Sequence, residues 1–521
     1  MKKRIILCFD GTWNNPDQTE AGLPAVTNVY KIFNAIKETP DQLKFYHPGV
    51  GGEGSVIGEG GVLAPVLGGA FGHGIRRHIC SGYQFLTEHY TEGDEIFVFG
   101  FSRGAFVARA LVEFVGFGLL QHDPDSSEKQ RWAAIHQLFD EGYQQHNQPL
   151  QPQFPQLQFL QQGQALPVRF LGVWDTVGAL GIPDDLALLN LLDDPEQWNF
   201  YDNLLGAHVQ TARHAMAMDE KRASFTVTRW DLTAQQQASA DVKELWFAGV
   251  HSDVGGGYPH NGLADIALLW MMDESAHCGL QFYPYAASQL KPDPLAVLHD
   301  SYSGFFKNLK SRPRNVPAVC AANAALFHPS VLQRQATPPL CQAAYWPTRQ
   351  FQVGEQITVP VYANQHWNKT GLYLNAGEHY RFSAKGEWKD AKDACDWRGT
   401  QNHERTFGDL VRSAGTVMGQ LSKTFRKLHN NDTAELGLNK RALDAGWFVL
   451  MGAIANDGLG SQQGARNDGS PHEHQLLVLP EFADRDFSVR ESGYLYCFSN
   501  DAWAFYDNNS GCIQLTVERV A

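Results

Sequence analysis

A serine flanked by two glycines is the residue of this chain best suited to nucleophilic chemistry. Gly100, Ser102 and Gly104 have the spacing G-x-S-x-G, after an apolar run and before a helix-compatible segment at 105–116. A serine nucleophile occupies a strained turn between a strand and a helix, where side chains in place of the glycines would collide with neighbouring elements. The pattern therefore predicts that Ser102 is a nucleophile, and leaves open a glycine-rich turn with an exposed serine as the alternative.

A base and an acid for this serine are expected at the ends of two other apolar runs. Asp175 lies at the end of the predicted strand 168–176, and His251 directly follows the predicted strand 244–250. Because the carboxyl ends of parallel strands meet at one edge of a sheet, we expect Ser102, Asp175 and His251 to lie close together. Their order along the chain, serine, aspartate and then histidine, is the order found in α/β-hydrolases.

Other residues compete for the roles of acid and base. Asp175 could instead cap a helix, and Asp253 could orient the histidine or structure the glycine turn that follows it. His208 and His214 are rival bases. The segment 210–218 around His214 is predicted to be helical, which favours a core or supporting position for that histidine.

Two backbone amides are expected to stabilise the oxyanion that forms during attack by the serine. The first is the amide of Arg103, the residue after the nucleophile. The second should come from the polar loop after the first predicted strand, where Gly11 and Thr12 are the candidates. Asp10 would hold this loop through hydrogen bonds from its side chain.

The elements that would position these groups alternate between strands and helices. This alternation predicts an α/β-hydrolase-like, mostly parallel sheet with helices on both faces, in a catalytic domain spanning 1–345. Within it, residues 182–245 could form a lid or a peripheral insertion. Short strand-like runs separated by Gly, Asn and Asp predict an all-β sandwich over 346–521, with a polar insertion at 401–440.

Charge and cysteine content narrow the class of protein. The 521-residue chain has 42 basic and 56 acidic residues and a net charge of −14, which argues against nucleic acid as a partner. None of the eight cysteines forms a C-x-x-C pair, so a zinc ribbon is not predicted. Cys497 and Cys512 could face each other across a hairpin, but a disulfide is not predicted.

The first ten residues combine a basic start with a short apolar run. This run is too short for a signal peptide, and no small-x-small cleavage pattern follows, so we interpret it as the first strand. The chain also lacks an apolar stretch long enough to span a membrane. We therefore expect a protein made in the cytoplasm that, if it acts outside its cell, leaves without a cleaved signal.

Several blocks of the first 310 residues resemble a known family. The blocks are 9–14 (FDGTWN), 100–104 (GFSRG), 172–178 (GVWDTVG), 214–220 (HAMAMDE) and 247–258 (FAGVHSDVGGGY). Together they resemble the DUF2235 α/β-hydrolases, which include the antibacterial phospholipase effectors of type VI secretion, the first lipase-effector family. The resemblance implies a phospholipase of type A1 or A2 with Ser102 as nucleophile, Asp175 as acid and His251 as base. It also implies a membrane phospholipid substrate at a target cell envelope, and a secretion spike and an immunity protein as partners.

The tail carries a second resemblance. The block 500–511 resembles the calcium loop of bacterial galactose-binding lectins of the PA-I type, and 386–390 aligns with the other loop of that site. This resemblance implies a lectin-like jelly roll that binds Ca²⁺, and a glycan as a candidate ligand. The oxygen donors that it implies are the side chains of Asp390, Asp501, Asn508 and Asn509 and the carbonyl of Phe505. A simple Asn-Asn-Ser-Gly turn is the alternative.

These observations together predict a serine esterase that cleaves phospholipid acyl esters and requires no cofactor for catalysis. Two alternatives stay open. The first is an esterase on a non-lipid substrate, such as a glycan acetate or a polyester. The second is a non-catalytic carbohydrate-binding protein in which the hydrolase core is a scaffold.

Overall fold

The computed structural model describes the chain with several gaps. The described residues are 2–11, 14, 19–20, 22–49, 55–58, 61–65, 71–123, 125–145, 150–178, 203–303, 310–390, 393–400, 440–460 and 473–521. The predicted insertion at 401–440 therefore lies outside the described residues except for its last residue. Residues 182–202 of the predicted lid lie outside them as well.

An eight-stranded sheet forms the centre of the first part of the chain. Its strands are β1 (Arg4–Phe9), β2 (Gln42–His47), β3 (Ser55–Gly58), β4 (Gly61–Pro65), β5 (Glu95–Phe101), β6 (Val168–Trp174), β7 (Thr211–Ala217) and β8 (Asp241–Phe247). Their spatial order is β8-β7-β6-β5-β1-β2-β3-β4. The six strands from β8 to β2 are parallel, and β3 and β4 are added antiparallel at one edge.

Helices cover both faces of this sheet. They are α1 (Asn28–Ala35), α2 (Phe71–His89), α3 (Arg103–Gly116), α4 (Glu128–Gln137), α5 (Leu150–Gln153), α6 (Ala234–Ser239), α7 (His251–Gly255), α8 (Gly262–His277) and α9 (Pro329–Ala336). The central strands β1, β5, β6 and β7 are buried on both sides because both sides are covered. In β1, for example, Ile5, Leu7 and Phe9 pack beneath α2 and α3, whereas Ile6 and Cys8 pack beneath α1 and α8.

One sequence prediction about this region was wrong. The segment around His214 is the buried strand β7 and not a helix, because every one of its seven residues is enclosed between β6, β8 and the covering helices. Strand β7 and the first residues of β8 also lie within 182–245, the range predicted as a possible lid or insertion. That part of the region is therefore sheet core and does not cover the site.

The C-terminal part consists of two antiparallel sheets. Its strands are β9 (Gln356–Tyr362), β10 (Asn368–Leu374), β11 (His379–Asp390), β12 (Asp393–Cys395), β13 (Leu450–Ala455), β14 (Gln475–Val478), β15 (Phe487–Ser488), β16 (Gly493–Ser499) and β17 (Asn509–Arg519). One sheet has the order β9-β17-β11-β12, with β15 paired to β11, and the other has the order β10-β16-β13-β14. The predicted combination of a mostly parallel α/β sheet with antiparallel β structure after it is confirmed.

Side chains from both C-terminal sheets share one apolar core. Tyr380, Trp388 and Leu515 enter it from the first sheet, and Leu450 and Leu495 enter it from the second. Cys497 and Cys512 lie in different sheets and are free thiols, so they do not face each other across a hairpin. None of the helices in the described part of the chain has both the length and the apolar composition that a membrane crossing requires.

Candidate active site

Ser102 occupies a strained turn between strand β5 and helix α3. Its backbone dihedrals are φ 59° and ψ −126°, which L-residues rarely adopt. The amide of Ser102 donates a hydrogen bond to the carbonyl of Trp174 at 3.1 Å, which ties the turn to the end of β6. Only 7% of Ser102 is exposed. The predicted strand, turn and helix are therefore present around this serine.

The two glycines beside Ser102 make this turn sterically possible. A Cβ atom on Gly100 would lie 2.4 Å from the carbonyl oxygen of Gly104. A Cβ atom on Gly104 would lie 2.3 Å from the carbonyl oxygen of Phe9 and 2.4 Å from that of Asp10. These contacts are far inside van der Waals distance, so the spacing G-x-S-x-G follows from how closely α3 approaches β5 and β1.

Asp175 and His251 meet at the same edge of the sheet. Strands β5 and β6 pair in register with Phe101 opposite Trp174, so Ser102 and Asp175 are the next residues on neighbouring strands. His251 begins α7 after β8, and its Nδ1 donates to Oδ2 of Asp175 at 2.5 Å. Because Nδ1 faces a carboxylate, Nε2 is the ring nitrogen left to accept a proton.

Aromatic rings hold the His251 imidazole in place. The ring of Phe101, the residue before the serine, lies 4.6 Å from the imidazole centroid, and the ring of Phe225 lies 4.9 Å from it. Burial lowers the pKa of His251, although the hydrogen bond to Asp175 acts in the opposite direction. A buried, neutral imidazole that is anchored at Nδ1 is suited to general-base chemistry.

Arg314 forms a bidentate ion pair with Asp175 and was missed by the sequence predictions. Its Nη1 donates to Oδ1 at 2.6 Å and its Nη2 donates to Oδ2 at 2.9 Å. The amide of Ala217 donates to Oδ1 as well, at 2.8 Å. Burial acts to raise the pKa of Asp175, but the charge of Arg314 and the hydrogen bond from His251 outweigh it and hold that pKa well below its usual value. Asp175 is therefore ionised at neutral pH.

Glu220 supports the backbone beside the histidine. It is 1% exposed and accepts a hydrogen bond from the amide of His251 at 3.2 Å and from the hydroxyl of Ser301 at 2.9 Å. Burial acts to raise the pKa of Glu220, but the charge of Arg222 outweighs it and lowers that pKa to about 2. The block 214–220 was noted in the sequence, but the role of this carboxylate was not.

The rival acid and bases make other contacts. His214 accepts from the amide of Thr176 at 3.1 Å through Nε2 and donates to Glu244 through Nδ1, so it braces the backbone beside the acid. His208 contacts the carbonyl of Val112, in the third turn of α3. Asp253 pairs with His299 at 2.5 Å and does not orient His251. The prediction that Asp175 is the partner of His251 agrees with the geometry.

The loop after β1 lies against the serine, as expected for an oxyanion loop. A Cβ atom on Gly11 would lie 3.2 Å from Cβ of Ser102. The amide of Gly11, however, donates to Oδ1 of Asp10 at 2.7 Å, which engages that amide and argues against Gly11 as the oxyanion donor. Thr12 lies outside the described residues. Arg103 is the first residue of α3, where amides point out of the helix N-terminus.

Asp10 anchors this loop, in agreement with the sequence prediction. Its Oδ2 accepts hydrogen bonds from the hydroxyls of Thr27 and Tyr46, both at 2.7 Å. Burial raises the pKa of Asp10 to about 6, against the effect of these hydrogen bonds. The carboxylate therefore connects the loop to α1 and to β2.

The predicted calcium ligands lie around the start of β17. Asp390 is opposite Asn509 in the pairing of β11 with β17, and Oδ2 of Asp501 accepts from Nδ2 of Asn509 at 2.9 Å. Phe505 and Asn508 lie in the 3₁₀ helix between them. Oδ1 of Asn509 is buried and has no hydrogen-bond partner among the described residues. A hard cation such as Ca²⁺ would satisfy such an oxygen.

Known proteins resemble parts of the chain. Residues 3–274 match the family model described as T6SS, phospholipase effector Tle1-like, catalytic domain. An uncharacterized protein of Saccharomyces cerevisiae is 30% identical over 237 residues, which are 43% of this chain and 32% of that protein. The chain therefore spans about a third of the length of this relative.

Two solved structures resemble the chain more distantly. The Tle1 effector bound to the VgrG spike of the type 6 secretion system is 15% identical, with a TM-score of 0.31 over 56% of this chain and 76% of that chain. The N-terminal domain of EclA, a PllA-like lectin, is 18% identical with a TM-score of 0.16, over 31% of this chain and 94% of that chain.

Proposed function

We propose, from the premise that this chain belongs to the Tle1-like phospholipase effector family of type VI secretion, that it hydrolyses phospholipid acyl esters through Ser102, Asp175 and His251. The proposal includes an α/β-hydrolase fold for the first part of the chain and type A1 or A2 specificity. The observation that carries it is the convergence at one sheet edge of a strained serine and a histidine whose Nδ1 is held by a buried carboxylate.

The chemistry would proceed in two stages. In the first, Oγ of Ser102 attacks the acyl carbonyl carbon while Nε2 of His251 accepts the hydroxyl proton. Asp175 stabilises the imidazolium that results. The imidazolium then protonates the departing lysophospholipid oxygen, and the acyl group remains on Ser102 as an ester. In the second stage a water molecule, deprotonated by His251, attacks this ester. The bond between the acyl group and Oγ of Ser102 breaks, the imidazolium returns its proton to Oγ, and the fatty acid is released.

The negative charge that develops on the carbonyl oxygen would be stabilised at the N-terminus of α3. The amide of Arg103 is the first donor, and the positive end of the helix dipole adds to its effect. Thr12 is the second donor that the loop after β1 offers, since the Gly11 amide is engaged by Asp10. Gly104 allows the start of α3, which carries the Arg103 amide, to approach the backbone of Phe9 and Asp10 at the end of β1.

Delivery and partners follow from the family and from the related effector. The Tle1 effector is bound to the VgrG spike. We propose that this chain is likewise secreted with a spike protein, acts on the envelope of a target cell, and is neutralised in the producing cell by an immunity protein. A pull-down of the full chain with spike protein from the same genome tests the first partner.

The C-terminal part is proposed to bind Ca²⁺ in a lectin-like domain over 346–521, following the catalytic domain over 1–345. Asp390, Asp501 and Asn509, with Phe505 and Asn508, would hold the ion. The unsatisfied Oδ1 of Asn509 supports this proposal. Bound calcium would order the loop and offer coordination positions to the hydroxyls of a glycan, and it has no part in the ester chemistry.

Mass spectrometry of phospholipids tests the enzymatic proposal. Vesicles of mixed bacterial phospholipids are incubated with wild type, with Ser102→Ala, and with Ser288→Ala as a control for an exposed serine. We expect lysophospholipid and free fatty acid from wild type and Ser288→Ala only. Activity confined to short soluble esters would favour a non-lipid esterase, and equal hydrolysis by all three proteins would reject Ser102 as the nucleophile.

A further inference from the structure

A short segment that carries Arg314 lies between the two parts of the molecule. We call residues 311–319 the bridging segment. On the side of the catalytic part, the amide of Arg312 donates to the carbonyl of Lys221 at 2.6 Å, and Ser311 forms an isolated antiparallel bridge with Arg222. These contacts place the segment next to Glu220, which supports the His251 backbone.

The C-terminal part holds the same segment from the other side through buried polar groups. Nη2 of Arg312 donates to Oδ1 of Asp457 and contacts Nδ1 of His474 at 3.3 Å. Nε2 of His474 donates to the carbonyl of Pro313 at 2.7 Å, so Nδ1 is the nitrogen with a lone pair for Arg312. Asp457 and His474 are 4% and 8% exposed. Removing either one would leave a buried group unsatisfied.

Two further side chains of the C-terminal part bond to the ends of the bridging segment. The indole N–H of Trp367 donates to the carbonyl of Ser311 at 3.2 Å and contacts its hydroxyl at 3.1 Å. The amide of Val319 donates to the hydroxyl of Tyr494 at 2.8 Å. Val316 and Val319 also share an apolar cluster with Tyr494 and Tyr496. The segment is thus held at both ends and in its middle.

Arg314 extends from this segment in the opposite direction, into the catalytic part. Besides Asp175, its guanidinium donates to the carbonyls of Ala217 and Phe225. Its own backbone is set by Arg312 and Pro313, the two residues before it, which are held by the C-terminal part. The position of the guanidinium relative to Asp175 therefore depends on contacts made outside the catalytic part.

We infer that the C-terminal part positions Arg314, and through it the Asp175–His251 pair, so that the active site is complete only when the bridging segment is held from both sides. This inference rests on the proposed function. Arg314 is a positioning residue, because it contacts the acid and not the substrate. The C-terminal part is thus a structural component of the catalytic site in addition to any role in binding calcium or a glycan.

The test compares two Asp→Asn substitutions of the C-terminal part in the full chain. Asp457→Asn removes the charge that pairs with Arg312. Asp486→Asn is the matched control, since Asp486 pairs with Arg381 at 2.6 Å and both of those side chains are more than 40% exposed. The substrate is a water-soluble short-chain ester, so that any effect on membrane or glycan targeting does not change the rate.

We expect Asp457→Asn to lower kcat about tenfold or more with little change in KM, because a misplacement of about 1 Å can cost about 100-fold in rate. The acid limb of the pH profile should also move to higher pH. Displacing Arg314 exposes His251 to more of the Asp175 charge, which raises the pKa of the imidazole. Asp486→Asn should have the kcat and the pH profile of wild type.

The outcomes separate this inference from the proposed function. Wild-type kcat and pH profile in Asp457→Asn, with Ser102→Ala inactive, would overturn the inference and leave the proposed function standing. Hydrolysis by Ser102→Ala at the wild-type rate would reject both. If circular dichroism shows that Asp457→Asn does not fold, Trp367→Phe removes the indole N–H donated to Ser311, together with part of the ring that packs against Phe498 and Arg441. We expect kcat about threefold lower in that variant, and an unchanged kcat would again reject the inference.

Discussion

Replacing Ser102 by glycine should stabilise the protein relative to replacing it by alanine. Both variants lack the hydroxyl, so both should be inactive, and they differ only in the Cβ atom. Ser102 has φ 59° and ψ −126°, a conformation in which the Cβ atom of an L-residue is crowded by its own backbone. Comparing the two variants therefore measures the backbone strain that the turn imposes on any residue with a side chain.

The magnitude follows from two opposing contributions. A non-glycine residue in a sparsely populated backbone conformation costs about 1–3 kcal/mol, which glycine avoids. Glycine loses more conformational freedom on folding, which costs about 0.5–1 kcal/mol relative to alanine. The difference predicts that Ser102→Gly is more stable than Ser102→Ala by about 1 kcal/mol. The turn therefore holds the serine in place at a cost that the surrounding packing must offset.

Urea unfolding of the full chain, followed by tryptophan fluorescence, measures this difference. Ala133→Gly serves as the control of opposite sign, because Ala133 is exposed in the interior of α4, where glycine should destabilise by about 1 kcal/mol. A Ser102→Ala variant that is as stable as Ser102→Gly, alongside the expected loss in Ala133→Gly, would refute the assignment of strain to this turn.

Three further predictions concern charge, pH and metal. Asp175→Asn should lower the free energy of unfolding by about 3–5 kcal/mol, because it leaves Arg314 buried without a counter-charge. It should also reduce kcat by about 10³–10⁴-fold. Chemical denaturation measures the first effect and initial rates the second, and a variant as stable as wild type would contradict the ion-pair reasoning. The kcat/KM should fall as pH decreases through the pKa of His251, since only the neutral imidazole accepts a proton. Because burial lowers this pKa, the midpoint of the fall should lie below about pH 6.5. A midpoint above pH 7 in a pH–rate profile would contradict this prediction. Adding CaCl₂ should raise the Tm of wild type in a thermal-shift assay but not that of Asn509→Ala. A concentration of about 1 mM is suitable, because extracellular calcium modules bind in roughly this range. Equal shifts of Tm in both proteins would place the ion elsewhere.

The positions of the serine, the acid and the histidine could be predicted because each follows a strand of the parallel sheet. Parallel strands bring their carboxyl ends to one edge, so residues distant in the chain become neighbours through a regular geometric rule. The pairing of Phe101 with Trp174 makes Ser102 and Asp175 neighbours, as that rule requires. The glycines were equally informative, because their spacing reflects the close approach of helix and strand.

Where periodicity was the only guide, prediction was less successful. The segment containing His214 has apolar residues at spacings that suit a helix, yet it is a strand. A strand that is buried on both faces has no polar side, so the alternation that identifies most strands is missing. Its place between two other strands of the sheet decided its conformation.

Arg314 had no signal in the sequence at all. It lies in a proline-containing segment without periodicity, more than 130 residues from the aspartate that it pairs with. A single arginine among 42 basic residues is indistinguishable from the others until the chain has folded. The same is true of Asp457 and His474, which hold the residues before it.

The sequence by itself predicted the kind of chemistry and determined the edge of the sheet at which the candidate residues meet. The backbone sterics of the turn and the location of each strand depend on short stretches of the chain. Residue types at fixed spacings, such as G-x-S-x-G and the apolar runs, therefore predict both. Only the tertiary structure decided how the acid is held ionised and which part of the chain holds it. Ion pairs between distant segments depend on how separate elements pack. The spacing of residues along the chain does not encode which of these side chains will meet.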